Sequence, residues 1–231
     1  MKVLAACEES QRVCAAFRKR GHEAYSCDIE PCSGGHPEWH VMGDVLPLLN
    51  GHCEIETMDG QKHRIEGRWD MILAFPPCTK TSNAGARHLW KGGRLNIKRY
   101  YEGLCGKALF QAIWAADCER VVIENPVSSR IYEYPTPSQT IQPYEYGHPY
   151  SKKTLLWERG VEKLKPTKIV EVKASWCPSG SYAGKHAERH RGMFTRDRAK
   201  NRSKTFEGVA EAMAEQWGKE IEPSETKQNR V

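Results

Sequence analysis

Trp69-Asp70-Met71-Ile72-Leu73-Ala74-Phe75-Pro76-Pro77-Cys78 is the stretch from which the rest of the chain is read. An almost unbroken apolar run of this length suits a strand buried on both faces of a parallel sheet, and the two prolines end it by removing backbone donors. A second such run, Arg120 to Ile123, follows a pattern in which Tyr101, Leu104, Ala108, Leu109, Ala112, Ile113 and Ala116 recur at helical spacing. Strand, helix, strand in that order predicts a helix laid across one face of the sheet.

Toward the N-terminus the same alternation continues. Lys2 to Cys7 reads as a buried first strand, Ser10 as a helix cap, and Val13, Ala16 and Phe17 as one helical face that Gly21 stops. Glu23 to Cys27 reads as the second strand, followed by a loop through Ser33, Gly34 and Gly35 and a short strand ending near Asp44. Two alternating segments from Cys53 to Glu66 flank Asp59-Gly60, a pair that accommodates the positive backbone angles of a tight turn, so an inserted β-hairpin is expected there.

Beyond Pro126 the chain is rich in Pro and Tyr, with expected strands at Thr154 to Glu158 and Lys168 to Lys173. Lys185 to Lys204 carries eight Lys or Arg against Glu188 and Asp197, and a helix from about Phe206 to Trp217 closes the pattern. The polar tail, 219–231, is expected to be disordered. The sum is an α/β, doubly wound, Rossmann-like sheet forming one domain over 1–218.

Composition narrows the function classes. With 39% hydrophobic and 28% charged residues, and no apolar stretch near the roughly 20 residues of a membrane span, a membrane protein is excluded. Met1 to Cys7 looks superficially like a lipoprotein cleavage box but leaves no room for a charged region and an apolar core. Nine cysteines without paired spacing suit a reducing compartment, so a cytoplasmic protein is expected, with a monomer as the default state. The net charge of +6 favours a polyanionic partner without demanding one. Cys27, Cys32, His36 and His40 form a C-x4-C-x3-H-x3-H series that fits no common zinc finger, and no metal is expected.

In an open α/β sheet ligands sit outside the carboxyl ends of the strands, and polar residues line up there: Glu8, Asp28, Asp44, Pro76-Pro77-Cys78 and Glu124-Asn125-Pro126 each follow a predicted strand. An acid after the second strand suits the two ribose hydroxyls of a nucleoside cofactor, which makes Asp28 the candidate.

At this point the chain resembles the DNA cytosine-5 methyltransferases, and most of all their short, phage-type members. The resemblance rests on Asp28, Gly43-Asp44-Val45, Pro76-Pro77-Cys78 and Glu124-Asn125-Pro126 in that order, over about Lys2 to Trp157, and returns at Thr205 to Gly218. It implies a methyltransferase sheet, S-adenosylmethionine as cofactor and DNA as partner. Cys78 would be the nucleophile that adds to carbon 6 of cytosine, and Glu124 the acid at ring nitrogen 3. The cofactor candidates are Cys7, Glu8, Ser10, Asp28, Ile29, Asp44, Val45 and Pro76. The substrate candidates are Asn125, Pro126, His148, Lys152, Lys153, Arg189 and Arg191.

The chain departs from the larger enzymes in three places, one of them Pro126, where those enzymes usually have Val. The loop Ala6-Cys7-Glu8-Glu9-Ser10-Gln11 has no glycine, leaving Glu8 and Ser10 to substitute, and only about 45 residues, Gly160 to Lys204, stand where a large target-recognition region is usual. The basic segment reads equally as a solvated loop or as a binding surface, with Trp176, Tyr182 and Phe194 suited to base contacts. Two other readings stay open: the same chemistry on RNA or a free cytidine nucleotide, and a catalytically silent module that binds nucleic acid.

Overall fold

The computed structural model describes residues 1–86, 88–176 and 203–219. Seven strands form the central sheet: β1 (Lys2–Ala6), β2 (Glu23–Asp28), β3 (His40–Met42), β6 (Met71–Ala74), β9 (Val121–Pro126), β10 (Gln139–Ile141) and β12 (Thr154–Arg159). Their spatial order is β10-β12-β9-β6-β1-β2-β3. β12 alone runs against its neighbours, pairing antiparallel with both β9 and β10, while the pairs among β9, β6, β1, β2 and β3 are parallel. The strand order reverses at β1, so a crevice opens between β1 and β6 at their carboxyl ends. The arrangement is α/β and compatible with a Rossmann-like fold.

The apolar runs are explained by burial on both faces. Val3, Ala5, Met71, Leu73 and Val122 enter one core cluster, with helices α1 (Arg12–Arg18) and α4 (Glu207–Trp217). Leu4, Ala6, Ile72, Ala74, Val121 and Ile123 enter the other, against helix α3 (Ile97–Trp114) and the hairpin of β4 (Cys53–Glu56) and β5 (Lys62–Ile65). Each buried large side chain contributes roughly 1.5–3 kcal/mol, so the two clusters dominate stability. Gly60, with φ of 83°, takes the tight turn of the hairpin expected at Asp59-Gly60.

Three local expectations are corrected, and three short strands are added. Ser10 does not cap α1: the chain turns left-handed at Gln11 (φ 56°), and the Glu8 carboxylate instead accepts from the amides of Val13 at 2.7 Å and Cys14 at 3.1 Å. Lys168 to Lys173 is not a strand. It runs beside residues 144–149 through backbone bonds such as Val170 N to Tyr144 O and one isolated bridge, Tyr146 with Lys168, and only Ala174–Ser175 (β13) forms a ladder, with Tyr150–Ser151 (β11). β10 and the small hairpin of β7 (Trp90–Lys91) and β8 (Arg94–Leu95) carry no apolar alternation long enough to show in the sequence. The third correction concerns α3, whose predicted face is wrong over its first half: Tyr101 and Leu104 are exposed, and the buried positions are Gly103, Phe110 and Ile113.

Gly103 explains that difference. A Cβ there would meet the Tyr132 ring at 2.2 Å, so the helix presses its glycine side inward and leaves the apolar side out. The basic segment and tail expected at about 160–204 and 219–231 fall mostly on residues outside the described ones.

The contact yields a test. Alanine gains about 1 kcal/mol over glycine in a helix interior, but over-packing against a buried ring is expected to win. Gly103→Ala should lower unfolding stability by about 1–3 kcal/mol in urea denaturation, and Tyr132→Leu should restore part of that loss. An unchanged midpoint in the single variant would count against the close approach.

Candidate active site

β6 and β9 are adjacent, with Ala74 opposite Ile123, and the two catalytic candidates lie just past those partners. Beyond the strands their loops stay joined. Asn83 N donates to Val127 O at 2.9 Å, Ser129 N donates to Thr81 O at 2.7 Å, and Ser82 forms an isolated bridge with Ser128. Cys78 starts a tight turn in which its carbonyl accepts from the amides of Thr81 at 3.2 Å and Ser82 at 2.9 Å. The Tyr134 hydroxyl sits close enough to Thr81 and Cys78 to interact with them electrostatically. From outside, Arg99 donates to the carbonyls of Thr79 at 3.1 Å and Gly85 at 3.2 Å. A methyl on Gly106 would meet Thr81 at 3.3 Å, so α3 packs directly on this loop. Cys78 itself is partly exposed on a well-braced turn.

Glu124 points to the opposite face of β9 from Ile123. Its Oε1 is buried without a hydrogen-bond partner among the described residues. Burial pushes its carboxyl above the usual range, and the Lys152 cation partly offsets this. Glu124 and Lys152 line a cavity of about 10 Å³ with Thr154, Thr205, Phe206 and Val209, room for about one water. Lys153 is exposed, and Pro126 pairs with Thr154 across the sheet.

Asn125 does not join Glu124. It is 1% exposed, on the Ile123 side, and neither amide atom has a partner among the described residues. An unsatisfied buried amide costs about 1–3 kcal/mol, which marks this strand end as strained by its polar content. His148 is drawn to a structural task, its Nε2 accepting from Gly208 N at 2.9 Å and its ring lying 5.0 Å from Phe206. Arg189 and Arg191, with Tyr182 and Phe194, lie outside the described residues.

On the other side of the crevice, Cys7, Asp28 and Asp44 gather at the ends of β1, β2 and β3. Burial, Asp28, Cys27 and Asp44 together push the Cys7 thiol up to about 12, so it is no rival nucleophile. The Asp28 carboxyl is raised by burial and accepts from Glu30 N at 3.0 Å, while Asp44 accepts from Leu46 N at 3.0 Å. Ile29 is 75% exposed, with Met42 and Leu46 also exposed, an apolar rim beside two acids. Val45 and Pro76 are buried behind it. Glu8 faces α1, and its carboxyl is raised to about 7, chiefly by burial. Ser10 is buried under the neighbouring loop: Gly34 approaches so closely that a Cβ would lie 2.7 Å from the Ser10 carbonyl. Ser33 N to Glu9 O and the Gln11 side chain to His36 complete that join. The close approach that glycines in the first loop would permit is thus provided by a glycine in the second, with Cys7 and Gln11 taking left-handed angles.

The Cys-Cys-His-His series is dispersed. His40 is held between Ser26 and the Glu30 carbonyl, His36 stacks on Trp39, and Cys27 faces the Gly43 carbonyl. Among the described residues no group of three His, Cys, Asp or Glu is placed to hold a metal ion, and no helix is long and apolar enough to cross a membrane.

Sequence reading missed Thr81, Tyr134, Arg99 and Gly106. The six Lys or Arg of 79–101, with no acid among them, signal a functional loop there, but their spacing gives no hint of which one braces it.

The His148 contact gives a pH dependence. Burial lowers the His148 pKa below 6.5, followed by a raising effect of Glu207, a lowering effect of Arg12 and a raising effect of Glu211. The unfolded chain therefore binds the proton more readily, and the stabilisation present above about pH 6.5 is lost as pH falls toward the lower folded value. The midpoint of thermal unfolding should drop over that interval, and His148→Gln should drop less steeply; parallel profiles would remove the neutral His148 acceptor from the account. No protein-family model matches the chain, and no curated protein matches it.

Proposed function

We propose that the protein methylates carbon 5 of cytosine, in DNA, with S-adenosylmethionine as methyl donor. The observation that carries this reading is the joining of the Cys78 turn to β9, which keeps a partly exposed thiol and a carboxyl whose pKa burial raises on adjacent strands.

The residues at the β1–β3 end fit the adenosine part of such a cofactor. Asp28 and Asp44 offer acceptors for hydroxyls, and Ile29, Met42 and Leu46 offer exposed apolar surface for a flat base. When bound, the cofactor supplies an electrophilic methyl group. The chain's own residues would prepare the acceptor. The Cys78 thiolate adds to carbon 6, and Glu124, whose burial favours its protonated form, hydrogen-bonds ring nitrogen 3 as electrons move into the ring. Carbon 5 would become nucleophilic and take the methyl as its bond to the cofactor sulfur breaks, the sulfur leaving as a neutral thioether. Loss of the carbon 5 proton to water then expels the thiolate and restores the aromatic ring. Tyr134, Thr81 and Arg99 position the Cys78 turn, and Lys152 balances Glu124 once it ionises. A base in a duplex would have to flip out to reach this site.

Incubation with S-adenosylmethionine and cytosine-containing DNA should give 5-methylcytosine. DNA containing 5-fluorocytosine should trap the protein covalently, because fluorine blocks the last elimination. Cys78→Ala should abolish both products, and Glu124→Gln should slow methylation by about 10²–10⁴-fold. Turnover by Cys78→Ala equal to wild type would reject the covalent route. Activity on a mononucleotide alone would reject DNA as the substrate.

A further inference from the structure

The exposed side of α3 is the least expected surface of the molecule. Ile97 and Tyr101 are 68% and 66% exposed, and Leu104 continues their line one turn on, a stripe that a soluble helix normally turns inward. Trp90, 56% exposed on β7, adds a large flat ring from the small hairpin just before the helix. Gly103 and Gly106 face inward, so the stripe follows from the packing of the helix on Tyr132 and the Cys78 turn.

The charge around this stripe is predominantly positive, Glu102 being the acid beside it. Residues 79–101 contain six Lys or Arg and no Asp or Glu. Lys91, Arg94 and Lys98 are exposed and stand in no ion pair among the described residues, unlike Lys80, which is paired with Glu102. Lysine is depleted from protein–protein contacts, whereas aromatic rings among cations are the combination that holds single-stranded nucleic acid: rings stack on bases and cations follow the phosphates. A paired duplex offers its bases edge-on in the grooves and gives such rings nothing to stack on.

We propose that the β7–β8 hairpin and the outer side of α3 bind single-stranded DNA, with Trp90 and Tyr101 stacking on bases and Lys91, Arg94 and Lys98 contacting phosphates. This deepens the proposed function and rests on it for the choice of DNA. It makes an unpaired strand the preferred form of the substrate. The hairpin and the start of α3 lie in the connection that leaves β6 through Cys78, at the carboxyl end of the sheet, so a strand lying on them leads toward the thiol. It also supplies a nucleic-acid contact independent of the basic segment 185–204.

The test measures fluorescence anisotropy of the full chain with a labelled, cytosine-free single-stranded oligodeoxynucleotide, so that binding does not depend on any reaction at Cys78. Trp90→Ala and Tyr101→Ala should each weaken binding roughly 5- to 100-fold, the range seen when one stacked base loses its ring. Lys91→Gln with Arg94→Gln should lower the salt dependence by about 0.7 per charge removed. Thermal unfolding of each variant, expected unchanged because the side chains are exposed, separates lost binding from lost folding. Wild-type binding by folded Trp90→Ala and Tyr101→Ala variants would overturn the proposal. So would a duplex, or single-stranded RNA of the same sequence, that binds more tightly than the DNA strand. Intact binding with no 5-methylcytosine formed would reject the methylation reading and leave this surface standing.

Discussion

The adjacency of β6 and β9 is the constraint on which the rest of the structure depends. Two apolar strands, buried on both faces, pair in parallel at the middle of the sheet and deliver their following loops to one edge. The two backbone hydrogen bonds beyond the strands, which form the isolated bridge between 81–83 and 127–129, keep the loops together after the regular ladder has ended. α3 can lie close over this junction because Gly103 and Gly106 leave no side chains in the way. The reactive turn is therefore braced from the side by a neighbouring strand and from above by a helix. Pre-set geometry of this kind is what a covalent step needs, since the nucleophile must be held at near-contact distance from its target.

A similar economy governs the opposite half of the crevice. The first loop lacks glycine, yet the chain still approaches itself closely there because Gly34 comes in from the second loop and Gln11 ties it down through His36. Glu8 is withdrawn from the crevice to satisfy the amides at the start of α1, which leaves Asp28 and Asp44 as the acids at the strand ends. Burial raises the acid groups at both sides of the crevice, but with different results. Glu8 keeps two amide partners that favour its ionised form, whereas Oε1 of Glu124 has no partner among the described residues. A carboxyl without donors retains its proton more readily, so the same residue type is a cap in one place and a candidate acid in the other.

His148 shows how easily a polar residue near a site is misread. Its position after a Pro-rich turn gives no indication that its ring nitrogen reaches the first turn of α4, 60 residues later in the chain. Lys152, four residues further on, does reach the cavity with Glu124. The two differ because β12 runs antiparallel beside β9, which carries the chain from His148 past the rim of the site and sets Lys152 over it.

The parallel core strands with their intervening helices, the Asp59-Gly60 hairpin and the placement of Cys78 and Asp28 at strand ends were legible from the chain alone, whereas Glu124, read as following its strand, lies within β9, which runs on to Pro126 against β12. Buried strands write themselves as apolar runs, tight turns as residues tolerant of positive φ, and site residues as polar positions directly after a strand. What only the tertiary structure decided was where small and polar residues point. Hydropathy is silent about glycine, so the inward side of α3 was read from its apolar residues, and the stripe of Ile97, Tyr101 and Leu104 was assigned to a core that Gly103 and Phe110 occupy instead. The caps made by Glu8 and His148, and the brace made by Arg99, join residues far apart in sequence or held by an unusual backbone angle. Such contacts depend on distances in space, which local pattern does not encode.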